Sequence, residues 1–268
     1  MRCLEGLVLA ACVGCSSDYS LGELPQVADA PSLRTGAAAP TGNIVYATDG
    51  HALFTFSPVT ATFSKPTVFR GCDLTVVEIS VDDRGEMYAA GFDAGRAALY
   101  RVDPATARCT FLSRVTSSAP WAVGLLPNAE TLVGASAGPL VLIDPAPKAM
   151  TTLSNPSQES ARDIVVAPSG TTYVSMLLDW TDPSSKNVLE EIDPGTGSVL
   201  RSSDLGGGEV IEGLAVWDGE THGFGSDGSV FVLDVEAAPV TRTPVSTANG
   251  PLHFTGAASY PRPDVVPY

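Results

Sequence analysis

Three carboxylates, an arginine and a tryptophan are the residues of this chain best placed to act on a ligand together. Glu78, Asp163 and Glu212 stand at the start of apolar runs, as in D-I-V-V and E-G-L-A-V, with Arg162 beside one and Trp121 before A-V-G-L. Aligned on those runs, Val77, Trp121, Arg162, Glu212 and Thr255 share one level, and Glu78, Ala122, Asp163, Gly213 and Gly256 the next. Such a set could converge on a ligand, or line a solvated tunnel with polar side chains. Other reactive constellations are absent from the sequence. His51, His222 and His253 lie far apart, with no C-x-x-C or H-x-x-x-H spacing that zinc would need. No G-x-S-x-G elbow and no G-x-G-x-x-G turn occurs, and Gly206-Gly207-Gly208 reads as a flexible crossover.

The elements that must position these residues repeat. Five times an apolar or aromatic strand runs into a similar turn: F-T-F-S-P-V-T (54–60), L-Y-R-V-D-P-A-T (99–106), L-V-L-I-D-P-A-P (140–147), L-E-E-I-D-P-G-T (189–196) and V-F-V-L-D-V-E-A (230–237). The turn residues Ser57, Asp103, Asp144, Asp193 and Asp234 are spaced by 46, 41, 49 and 41 positions. Strand-only repeats of about 40–45 residues mark a β-propeller with one four-stranded blade per repeat. Asp at the first turn position bonds backbone N–H groups ahead of it, and Pro presets φ at the next, so these turns are accounted for by structure. Inner strands such as D-I-V-V-A-P-S-G (163–170) alternate weakly, as strands packed on both faces do.

The first repeat, 43–70, offers only three strand runs, and F-T-G-A-A-S-Y-P (254–261) resembles the inner strand it lacks. The expected fold is therefore all-β, a propeller of five four-stranded blades over 43–261, the first completed by the C-terminal strand. Six blades is the alternative, to be sought in the long repeat at 160–203. Residues 16–42, rich in Ala, Pro, Gly and Ser without sustained periodicity, read as a disordered tether, and 262–268 as a tail. The net charge of −15, with lysine only at 65, 148 and 186, argues against nucleic acid, whose phosphates require clustered cations.

Five cysteines fall into two groups. Cys72 and Cys109 stand 37 positions apart in the body, one in the crossover entering the second blade and one in its outer strand. A disulfide between them is the expectation for an exported chain; two buried thiols are the alternative. Cys3, Cys12 and Cys15 crowd M-R-C-L-E-G-L-V-L-A-A-C-V-G-C, and this segment, 1–15, resembles a bacterial lipoprotein signal. Val13-Gly14-Cys15 followed by Ser-Ser-Asp favours Cys15 as the lipidated residue, while Leu9-Ala10-Ala11-Cys12 matches the lipobox at Cys12. Ser16 after Cys15 implies, by that resemblance, export to the outer membrane, with the domain on its periplasmic or surface face.

The D-P-x-T turn resembles the blade motif of the YVTN, NHL, PQQ-binding-like and gluconolactonase-like propellers. Gluconolactonase-like proteins hold a divalent cation at the channel mouth with carboxylates and an asparagine. By that resemblance Glu78, Asp163 and Glu212 would be hard oxygen ligands for Ca²⁺. Glu212 is one position out of register, and no asparagine matches. The leading expectation is a lipid-anchored cell-envelope propeller, monomeric, without cofactor, that binds a protein or small molecule and meets the membrane only through its anchor. The alternative is a divalent-metal-dependent hydrolase or lactonase acting at the mouth.

Overall fold

The computed structural model describes residues 44–82, 85–93, 96–115, 122–125, 132–135, 140–144, 149–152, 161–167, 169–177, 187–206 and 208–259. The expected signal segment, tether and tail, both candidate lipidation cysteines and Trp121 lie outside them. Every regular element among the described residues is a strand.

Four sheets are blades of four consecutive antiparallel strands. They comprise β5 (Thr75–Val81), β6 (Met87–Asp93), β7 (Arg96–Asp103) and β8 (Arg108–Val115); β9 (Ala122–Leu125), β10 (Leu132–Ala135), β11 (Leu140–Asp144) and β12 (Ala149–Thr152); β13 (Ala161–Val166), β14 (Thr172–Leu177), β15 (Asn187–Ile192) and β16 (Val199–Asp204); and β17 (Ile211–Trp217), β18 (Glu220–Gly225), β19 (Val230–Asp234) and β20 (Thr241–Val245). The remaining sheet joins the two ends of the described chain. In it β21 (Gly256–Ser259) pairs with β1 (Val45–Thr48), and β1 with β2 (Ala52–Ser57). The strands β21, β5, β9, β13 and β17 neighbour one another around a ring.

Two expectations are corrected. Four sheets, rather than five, have the four-stranded form, because the sheet holding the termini has five strands. Its outer edge is split between β3 (Thr62–Phe63) and β4 (Thr67–Val68), both paired with β2. Ser64-Lys65-Pro66 interrupts that edge, where Pro66 has no N–H to continue a ladder. A sixth blade is also excluded: the described residues of 160–203 belong to one sheet, β13 to β16.

The repeated turns join the third and fourth strands of their sheets, as at Asp103 between β7 and β8. Asp103 accepts from the Ala105 N–H at 3.0 Å and from Thr106 Oγ1 at 2.7 Å. Asp193 accepts from the Gly195 N–H at 2.8 Å, which holds its carboxyl below the ordinary range. The turn ends on a left-handed residue in three repeats, Ala61, Ala107 and Gly197. These aspartates are spent on turn geometry.

Aromatic packing seals the junction between the terminal sheet and the β17–β20 blade. Phe54, Phe56, Phe63, Phe224 and Phe254 share one buried cluster, with Phe254 5.5 Å from Phe63 and 5.2 Å from Phe224 between ring centres. Edge-on and tilted contacts of this kind add about 0.5–1.5 kcal/mol per pair to the burial itself. Phe254 thus ties the C-terminal strand to both neighbours.

On the other side of the terminal sheet, the crossover into the β5–β8 blade runs beside β8. Arg70 bridges Arg108 in parallel, with the Arg70 N–H donating to Ala107 O at 3.0 Å and the Cys109 N–H to Arg70 O at 2.7 Å. That ladder brings crossover and outer strand together, and Cys72 and Cys109 form the disulfide. The loop spans a separation of 37 residues, so the bond restricts the unfolded chain and stabilises by roughly 3–4 kcal/mol. Urea unfolding of the Cys72→Ser/Cys109→Ser protein is expected to show that loss. An unchanged midpoint would mean that the Arg70–Arg108 ladder suffices to hold the crossover.

Candidate functional site

A shared irregularity sets the channel wall. Pairing of inner with second strand shifts by one residue between Val76 and Glu78, between Ala161 and Asp163, and between Ile211 and Gly213. Val77, Arg162 and Glu212 are the residues left over. A bulge re-aims the residues that follow it. Glu78, Asp163 and Gly213 consequently come first after the bulge in their strands, while Gly256 opens β21 and Ala122 opens β9.

The residues after the bulges knit the inner strands together. Asp163 is fully buried, accepts from its own Ile164 N–H at 2.5 Å, and accepts from the Leu214 N–H of the next blade. Two residues further along β17, the Val216 N–H donates to Ser259 Oγ on β21 at 2.8 Å. On the far side of β21, Thr255 Oγ1 donates to Val76 O on β5 at 3.3 Å. These backbone groups face a neighbouring blade instead of a strand partner, and side chains supply the missing half of each bond.

Two glycines make this approach possible. A Cβ on Gly213 would stand 2.7 Å from Ala257 N and 2.8 Å from the Gly256 carbonyl carbon, both backbone atoms of β21. A Cβ on Gly256 would collide with the Glu78 carboxylate. Glu78 itself is fully buried, and Oε1 accepts from the Ile79 N–H at 2.7 Å. Its Oε2 has no hydrogen-bond partner among the described residues.

Burial pushes the Glu78 carboxyl well above the ordinary carboxylate range, and the charge of nearby Asp163 pushes it further. Burial also raises Asp163 well above its usual value, against the N–H donors from Leu214 and Ile164, which favour its ionised form. Glu212 is raised by burial and held down by Arg162, whose Nη1 lies 3.7 Å from Glu212 Oε2. Both side chains of that pair are about one-fifth exposed, so the ion pair sits at the opening, with Arg162 one residue before Asp163 on β13 and Glu212 one residue before Gly213 on β17.

Past the carboxyls along the strands, the channel narrows to a cavity of about 20 Å³, lined by β5, β13, β17 and β21 from Ile79, Ile164, Leu214 and Ala257 onward. That is room for a single water. Glu78 and Asp163 thus stand one residue before the first cavity-lining residues of β5 and β13. Of the four expected site residues that are described, Glu212 and Arg162 reach the opening, whereas Glu78 and Asp163 are buried in the wall.

The carboxyls do not fit a divalent cation. Both Asp163 oxygens already accept from backbone amides, Glu78 is sealed from solvent, and Glu212 is neutralised by Arg162. Ca²⁺ needs six to eight oxygens, and no group of three or more His, Cys, Asp or Glu among the described residues is arranged to hold a metal. Ser259 had no sequence signal beyond being the one polar residue in G-A-A-S, and the bulges had none.

No protein-family model matches the chain, and no curated protein matches it. Many solved chains share its fold. One belongs to "Crystal structure of Nidogen/Laminin Complex", with a TM-score of 0.56 and 14% identity over 82% of this chain and 98% of that one. The domain is a β-propeller. At that identity the likeness is one of fold.

The close contact of β17 with β21 yields a prediction. Gly213→Ala is expected to cost about 1–3 kcal/mol in urea unfolding, because the obstructing atoms are backbone and cannot swing aside. Gly219→Ala serves as the comparison: its Cβ would meet nothing within 4 Å, although its φ of +81° carries its own strain. A Gly213→Ala protein as stable as wild type would show that β21 does not approach β17 so closely in solution.

Proposed function

We propose that this propeller is a protein-interaction module of the bacterial cell envelope, carried on a tether from a lipid at Cys15, with Cys12 as the alternative site. The observation that carries the reading is how the channel's polar groups are employed. Asp163, Ser259 and Thr255 bond the backbones of neighbouring blades, and the ion pair of Arg162 with Glu212 at the opening is internal. Among the described residues no nucleophile and base stand together there, and the surface of the domain is the reading's site of action. The disulfide between Cys72 and Cys109 supports export, since such bonds persist in oxidising compartments.

The nidogen/laminin structure supports the interaction half of the reading, as a protein of this fold found in a complex with another. The acidic balance, 30 carboxylates against 15 Lys and Arg, disfavours anionic polymers as partners and favours a protein with a cationic surface. An outer-membrane location, a monomeric state and operation without a resident cofactor belong to the same proposal.

Two measurements test it. Cross-linking of the intact lipoprotein in the envelope, followed by mass spectrometry, is expected to recover a protein partner and to place a diacylglyceryl group on Cys15. A soluble chain with unmodified Cys12 and Cys15 would end the anchored reading. Thermal unfolding with added Ca²⁺, Mn²⁺ or Zn²⁺ is expected to leave Tm unchanged. A metal-dependent stabilisation, lost in Asp163→Asn and Glu212→Gln, would replace the interaction module with the metal-dependent hydrolase or lactonase.

A further inference from the structure

Two buried carboxyls that meet across strands are an unusual thing to build into a channel wall. Glu78 on β5 and Asp163 on β13 are both fully buried, and each is near enough to perturb the other. Asp163 has two backbone N–H donors, whereas Glu78 has one and an orphaned Oε2. We infer that Glu78 and Asp163 form a proton-binding site: one proton, resident on Glu78, is held against ionised Asp163 and locks the inner strands β5 and β13 together.

The donors decide where charge and proton go. Two amides stabilise a negative charge on Asp163, so that carboxyl is the one to ionise. A proton on Oε2 turns the one unsatisfied oxygen into a donor facing an anionic acceptor, and charge-assisted bonds of that type are the strong ones. Without the proton, two like charges are sealed in the wall, and one of two carboxylates sharing a site gives way by staying protonated. The pair titrates as a unit.

Among the described residues no neighbour offers an alternative cation. From β17 the pair is faced by Glu212, which opposes ionisation of both carboxyls, and on β13 by Arg162, which is paired with Glu212. The inner strands β21 (Gly256–Ser259) and β9 (Ala122–Leu125) contain no titratable side chain.

The consequence is a propeller that loosens as pH rises. The folded pair retains a proton that the unfolded chain gives up near the ordinary carboxylate range, about pH 4. Its stabilisation is complete below that range and is lost as pH rises through the pair's own higher value. His222 works the other way: buried and held below its usual range by desolvation, it costs stability only as pH falls below about 6.5.

The test compares the full-length, disulfide-bonded wild type with Glu78→Gln and Glu212→Gln by thermal unfolding between about pH 4 and pH 9. Gln keeps the shape of Glu78 and carries a fixed N–H donor toward Asp163. Its Tm is expected to gain on wild type as pH rises, by up to roughly 3–5 °C per pH unit, while Glu212→Gln, which removes a charge opposing ionisation of the pair, keeps the alkaline decline and moves it to lower pH. Infrared spectra of the wild type at neutral pH are expected to contain a protonated-carboxyl C=O band. That band titrates away on the alkaline side and is missing from Glu78→Gln. Parallel Tm profiles for wild type and Glu78→Gln would overturn the proposal. So would the absence of the band, which decides the matter even where the variant fails to fold.

Discussion

The fold depends on how backbone amides along the channel are satisfied. In a sheet, each strand exhausts its N–H and C=O groups on two neighbours, but an inner strand of a propeller has a strand partner on one side only. The other side faces the next blade at an angle that no ladder can bridge. Leaving those amides bare in a closed wall would cost about 1–3 kcal/mol each. Here side chains act as the absent strand: Asp163 takes the Leu214 N–H, Ser259 takes the Val216 N–H, and Thr255 gives its hydroxyl proton to Val76 O. The strand β17 is thereby held from both sides, by β13 and by β21.

Such bonding requires strands to come close, and the chain meets that need with small residues at the tightest points. Gly213 and Gly256 let β17, β21 and Glu78 pack where any Cβ would intrude on backbone or carboxylate. Farther out, the space widens and the phenylalanines fill it, Phe254 and Phe224 among them. The closure between chain ends is thus a graded interface: hydrogen bonds at the channel, aromatic contacts outside. The disulfide holds the other flank of the terminal sheet, where the crossover reaches β8.

A carboxylate is a costly acceptor to bury, and its presence in the wall shapes what the channel can do. Oxygens bonded to amides of two blades are not free to ligate a metal or to move protons for a substrate. At the opening Arg162 and Glu212 pair with each other. Chemistry that sequence alone would place at the channel mouth is absorbed into holding the blades, which moves attention to the outer surface.

Much of the architecture was legible in the residues, and for a clear reason. Turn chemistry is local: Asp103 and Asp193 bond amides two or three residues ahead, so their spacing reports strand spacing directly. The kinship of 254–261 with the inner strands was legible because both ends of one sheet must carry the same pattern. The split of the outer edge into β3 and β4 was not, although Pro66 marks where it occurs, since short flanking pairs carry no period of their own. Nor were the bulges, which shift Val77, Arg162 and Glu212 out of the ladder without any signature in residue type. Sequence by itself determined that the chain is built of repeated strands and where the described ones turn. Only the tertiary structure decided that Glu78 and Asp163 meet inside the wall while Glu212 turns to Arg162, because contacts between blades join positions far apart in the chain whose distances no local pattern encodes.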